Sequence, residues 1–155
     1  MFTTKLIFKG SQHGFTAQIF HELCDNMGPT LTVVQSEQGK IFGGFTSIPW
    51  SSPDVDKEHT DLSAFVFSQD NGTIMPVKPA TKVAVEHSKK WAACFGWDIW
   101  LRENLRGTGN LSKLGESYTL PPGVLFNKDE GGNTYMAGSY HFIVKEIEVY
   151  SISFS

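Results

Sequence analysis

The stretch Phe20 to Trp50 constrains the fold most, because a helix end, a tight stop, a hairpin and a double glycine follow one another in it without slack. Apolar side chains at Phe15, Ile19, Phe20 and Leu23 lead into it with the stripe of an amphipathic helix, and Gln18, Glu22 and Asp25 take the opposite face. Gly28 suits the left-handed position past a helix end, and Pro29 disfavours helical geometry before it, so the helix stops by Met27. Thr30 to Val34 and Lys40 to Thr46 then read as a hairpin, closed by Ser36-Glu37-Gln38-Gly39. Gly43-Gly44 removes two side chains inside the second strand, which marks a bulge or the close approach of a backbone or a ring; Trp50 is the expected ring.

The flanking sequence is strand-rich. Lys5 to Phe8 is a short apolar run that Gly10 ends, and Ser11 to Gly14 turns the chain. Ser51 to Thr60 is polar and reads as an exposed loop, while Ala64 to Phe67 and Thr73 to Val77 flank the hairpin signal Asn71-Gly72. Lys82 to Lys90 reads as a short edge element and Trp97 to Leu101 as a strand. The glycines from Gly107 break the chain before a loop that runs through Pro121-Pro122 to Gly131-Gly132. In the last strand, Ser139 to Ile152, the apolar side chains are Tyr140, Phe142 and Val144 and then Ile147 and Val149, so the phase flips near Lys145. A strand cannot swap faces without an irregularity, so either a β-bulge sits there or the strand passes between two packed sheets. The expected class is α+β, mainly β: a sandwich of two antiparallel sheets flanked by one or two helices, in a single domain over 1–155.

Composition narrows function by exclusion. A chain of 155 residues buries roughly 70% of its unfolded surface, and its twelve Phe and four Trp supply large core side chains. With a net charge of −3 and no basic run longer than Lys89-Lys90, nothing predicts nucleic-acid binding. The only apolar patch of the opening MFTTKLIFKG is Leu6 to Phe8, too short for a signal peptide or a membrane span, so an intracellular, soluble protein without direct membrane insertion is expected. Cys24 and Cys94 make neither a disulfide framework nor a zinc motif and read as buried thiols.

Four constellations could carry chemistry. His21-Glu22-x-x-Asp25 begins like the zinc-gripping HExxH, but Asp25 replaces the second histidine at the last helical turn, where it suits backbone groups in the turn to Gly28. Cys24 lies one turn from His21, yet a helix C-terminus disfavours a thiolate. Glu146 and Glu148 project from one face of a strand about 7 Å apart, without a third group to separate their acidities. Trp50, Trp91, Trp97 and Trp100 could stack a sugar or fill a core. No metal, cofactor or catalytic residue is assigned.

Taken together, Ser11-x-His13-Gly14, then Phe20-His21-x-x-Cys24-Asp25-Asn26-x-Gly28-Pro29-Thr30-Leu31-Thr32, and Ile41-Phe42-Gly43-Gly44-Phe45-Thr46-Ser47-x-Pro49-Trp50 resemble the TLDc domain. Asp61-x-x-Ala64-Phe65-Val66-Phe67-Ser68, Met136-Ala137-Gly138-Ser139-Tyr140-x-Phe142 and Glu146-Ile147-Glu148-Val149 extend the resemblance over nearly the whole chain. Two segments depart: where the family carries a glycine-rich run ending in His-Asp, this chain has the shorter Phe95-Gly96-Trp97-Asp98, and Gly107 to Gly132 is also divergent. The resemblance implies a two-sheet sandwich, a link to oxidative-stress resistance, and a non-catalytic interaction with subunits of the vacuolar proton-pumping ATPase, peripheral to that membrane-bound complex. An accessory subunit of another multi-subunit complex is the alternative, and an enzyme using His21, Cys24 or the glutamate pair is the third reading. The loops Ser51 to Thr60 and Gly107 to Gly131 are the expected contact points.

Overall fold

The computed structural model describes residues 1–126 and 133–155. Its strands are β1 (Phe2–Lys9), β2 (Thr30–Ser36), β3 (Ile41–Thr46), β4 (Lys57–His59), β5 (Phe65–Ser68), β6 (Thr73–Pro76), β7 (Val85–His87), β8 (Cys94–Phe95), β9 (Ile99–Trp100), β10 (Asn110–Ser112), β11 (His141–Phe142) and β12 (Val144–Phe154), with helices α1 (Gly10–His13) and α2 (Ala17–Cys24). A six-stranded antiparallel sheet has the order β1-β12-β2-β3-β5-β6, a four-stranded sheet has the order β11-β10-β9-β8, and β4 pairs with β7. The fold is the expected α+β class, mainly β.

The phase flip in the last strand has both of its anticipated causes. Register with β2 shifts between Val144 and Glu146, placing a bulge at Lys145, and β11 belongs to the small sheet while β12 belongs to the large one. Phe142 and Val144 before the shift, and Ile147 and Val149 after it, are all buried.

Side-chain period accounts for the helix and both hairpins. Thr16 caps α2 by accepting from the Ile19 N–H at 3.3 Å, so the helix starts two residues after the apolar stripe begins. The left-handed residue nearest its end is Asn26 (φ 59), and Gly28 (φ 77) makes a second turn before Pro29 rather than capping the helix directly. The Gly39 and Asn71-Gly72 turns close β2–β3 and β5–β6.

Gly43-Gly44 serves two close approaches. A Cβ on Gly43 would lie 1.9 Å from the Thr32 carbonyl oxygen, and one on Gly44 would lie 2.6 Å from the Phe95 ring. The ring over the double glycine is therefore Phe95, not Trp50. Trp50 packs edge-on behind Phe95 at 5.6 Å and against Phe20 at 5.7 Å. Around these rings Phe8, Phe42, Tyr118, Met136 and Phe142 complete the fully buried core between the sheets.

Several irregular stretches fold differently from expectation. Ser51 to Thr60 contains β4, whose partner β7 is the short element expected within Lys82 to Lys90. The break at Gly107 leads straight into β10, which joins β9 to β11. Ser11 to Gly14 is mostly the single turn α1. The end of the expected loop, 127–132, lies outside the described residues.

Candidate functional site

The family block closes on its own polar groups. His21 Nδ1 lies 2.7 Å from Asp25 Oδ1 and its Nε2 lies 2.7 Å from the Trp91 carbonyl oxygen. Each ring nitrogen thus has an oxygen within hydrogen-bond reach. Asp25 also accepts from the Ser52 hydroxyl. It thus ties the helix end to His21 and the loop after Trp50, not to the backbone of the turn to Gly28. The order Ser52–Asp25–His21 puts the carboxylate in the middle, whereas a hydrolytic triad needs the imidazole there. A cleft of about 750 Å³ opens beside this joint, lined by Gln18, Glu22, Asp25, Lys89 and Glu103 among others.

Burial dominates at both thiols. Cys24 is fully buried, and burial followed by the neighbouring Asp25 charge raises its pKa far above the ordinary thiol value. Burial does the same for Cys94. Glu146 accepts from the Ser11 N–H at 3.0 Å, while Glu148 takes the Tyr150 hydroxyl at 2.8 Å and pairs with Lys9 at 3.4 Å. The two carboxylates therefore serve as anchors for separate neighbours. Gly14 closes α1, and Gly138 packs against the Gln38 side chain of the β2–β3 turn.

Two buried aspartates organise loops that periodicity could not assign. Asp61 accepts from Thr46 Oγ1, from the N–H and hydroxyl of Ser47, and from the N–H and hydroxyl of Ser63 at 2.7–3.1 Å. Burial raises its pKa, but these donors outweigh burial and leave it below the usual carboxylate range. Asp98 accepts the N–H groups of Gly115, Ser117 and Tyr118 at 2.8, 2.8 and 3.2 Å. Burial pushes it up to about 7 despite those bonds. Sequence offers only a faint signal for either: an Asp beside turn residues, whose donors come from elsewhere in the chain.

A third polar group is His87, buried at 1% exposure. Its Nδ1 meets Ser51 Oγ at 2.7 Å, its ring lies 4.3 Å from that of His59, and its Nε2 has no partner among the described residues. Burial, followed by the His59 charge, lowers its pKa to about 4.

The outer face of the large sheet is the reverse of what alternation usually gives. In β2 the buried positions are Thr30, Thr32, Val34 and Ser36, while Leu31 and Val33 face outward. Register places Leu6, Tyr150, Leu31, Phe45, Phe65 and Pro76 side by side, one from each of the six strands. The adjoining row ends in Val33, Gly43, Phe67 and Ile74, the last 69% exposed. Phe45 and Phe65 stack at 5.4 Å, and a groove of about 460 Å³ runs between Leu31, Phe65, Phe67 and Ile74. Sequence patterning marks these strands but not which of their faces is the inner one.

Two packed antiparallel sheets with two short helices define the class as a β-sandwich domain. The chain belongs to the TLDc domain family, whose model matches residues 1–153. No curated protein matches the chain. Among the described residues no helix is long and apolar enough to cross a membrane.

Proposed function

We propose that this chain is a non-catalytic protein-interaction module that associates with, and regulates, the vacuolar proton-pumping ATPase, in keeping with the role linked to TLDc proteins in oxidative-stress resistance. The observation that carries this reading is the apolar row across all strands of the large sheet, with Thr30, Thr32 and Ser36 turned inward and Leu31 and Val33 outward. Inward threonine and serine are tolerated because partners absorb some of their polarity: Trp50 Nε1–H donates to Thr30 Oγ1 at 2.9 Å, and Ser36 donates to the Ala137 carbonyl at 2.8 Å. A contiguous apolar surface of this kind marks a protein contact. The occupant is an apolar surface of an ATPase subunit, which would dry the Leu31–Phe65–Ile74 groove.

The test is retrieval of proton-pump subunits by the tagged chain, compared with a Leu31→Lys/Ile74→Lys double variant. Retrieval by the parent chain, reduced at least about tenfold in the variant, corresponds to about 1.4 kcal/mol and supports the reading. Stoichiometric recovery of an unrelated complex in place of ATPase subunits contradicts it.

A further inference from the structure

A second surface lies on the small sheet, at the segment where the chain departs from the family pattern. The Trp97 ring is 48% exposed and meets Trp100 edge-on, 4.6 Å between centroids. Trp100 meets Trp91 in the same manner at 5.6 Å. The Arg102 guanidinium lies 4.5 Å from the Trp91 centroid and 4.6 Å from that of Trp100. Among the described residues no carboxylate pairs with this guanidinium; the Trp100 indole N–H is buried and takes no part in the surface. The backbone underneath is fixed: Asn110 Oδ1 accepts the Arg102 N–H at 2.9 Å, while its amide donates to the Leu105 and Phe142 carbonyls.

We propose that Trp97, Trp100, Trp91 and Arg102 form a recognition site for an acidic, carboxylate-bearing peptide segment of a partner protein. A guanidinium is always charged, and its planar fork of donors matches a carboxylate bidentately. Stacking on two indoles holds the side chain in place, so less rotamer freedom is lost on binding. Tryptophan and arginine are also the residues that most often dominate contact energies. The guanidinium already lies over Trp91 and Trp100, which leaves Trp97 as the open ring; that favours an anion over a neutral sugar, whose binding needs several free faces. The chain carries a net charge of −3, so attraction for an acidic segment comes from this local cation and not from the overall field. The site lies apart from the apolar row of the large sheet and goes beyond the function proposed for it.

The test is an NMR titration of the full chain, following the indole N–H and Arg Nε–H signals while an end-blocked peptide of alternating Glu and Asp is added. The expected result is saturable shifts of the Trp97, Trp100 and Arg102 signals with a Kd of about 1 mM, weakened at least tenfold with the matching Gln/Asn peptide. Arg102→Gln is expected to abolish saturation. Trp97→Ala, at a half-exposed position, is expected to weaken it several-fold with spectral dispersion unchanged, and decides the matter if Arg102→Gln does not fold. No saturable shift, equal shifts with the uncharged peptide, or tighter binding of laminarihexaose overturns the proposal. The Leu31→Lys/Ile74→Lys variant should titrate like the parent chain, so failure of ATPase retrieval and failure of this site are read separately.

Discussion

Trp50 and the Trp97–Trp100 pair show one residue type put to opposite uses. Trp50 has no exposed surface, packs edge-on against Phe20 and Phe95, and donates its indole N–H to Thr30. Trp97 is half exposed, and the neighbouring Arg102 guanidinium has no carboxylate partner among the described residues. A buried aromatic with its polar atom satisfied stabilises the fold, whereas an exposed aromatic beside an uncompensated cation keeps its binding capacity for something else. The His21–Asp25–Ser52 joint belongs with Trp50: each group meets a partner inside the protein, so its chemistry is spent on geometry.

The comparison breaks first at Trp50. Trp50→Ala should cost about 4 kcal/mol, lowering Tm by roughly 12 °C in thermal unfolding; a change of a degree or two would mean that the ring is not a core element. Gly43→Ala should follow, at about 3 kcal/mol, because its Cβ meets a backbone oxygen that only separation of β2 from β3 can move. Asp61→Ala should cost about 2 kcal/mol by stranding the hydroxyl and N–H donors of Thr46, Ser47 and Ser63.

His87 sharpens the contrast through pH. Its folded value, about 4, lies below the ordinary histidine value of 6.5, so the unfolded chain takes up the proton first. The stability this group contributes is fully present above pH 6.5 and is lost as pH falls toward 4. Denaturant unfolding across that window should show the parent chain losing stability faster than His87→Gln. Equal slopes would remove His87 as the cause. The smallest effect belongs to the other side of the comparison: Trp97→Ala should leave stability within about 0.5 kcal/mol.

Legibility in the sequence followed range of interaction. The α2 stripe, the Gly39 and Asn71-Gly72 hairpins and the phase flip at Lys145 depend on neighbours a few residues apart, and each appears in the fold. The strands β4 and β10 have three residues each, too few to display a period, and form on partners elsewhere in the chain. Phe95 over Gly44, Trp91 as the acceptor for His21, and the loops clamped by Asp98 are contacts of the same distant kind. The run Thr30 to Val34 marked a strand but not its inner face: Thr30 and Ser36 find their place inside through the Trp50 indole and the Ala137 carbonyl, far along the chain.

The central claim is that the family block builds the scaffold while function is displayed on outward surfaces. The most direct measurement compares proton-pump subunit retrieval by the Leu31→Lys/Ile74→Lys surface variant and by His21→Gln, which alters the block, with melting recorded for both. The account predicts that the surface variant loses retrieval at unchanged Tm, while His21→Gln lowers Tm and keeps retrieval at temperatures where it is folded. Full retrieval by the surface variant, together with loss of retrieval by folded His21→Gln, would contradict it.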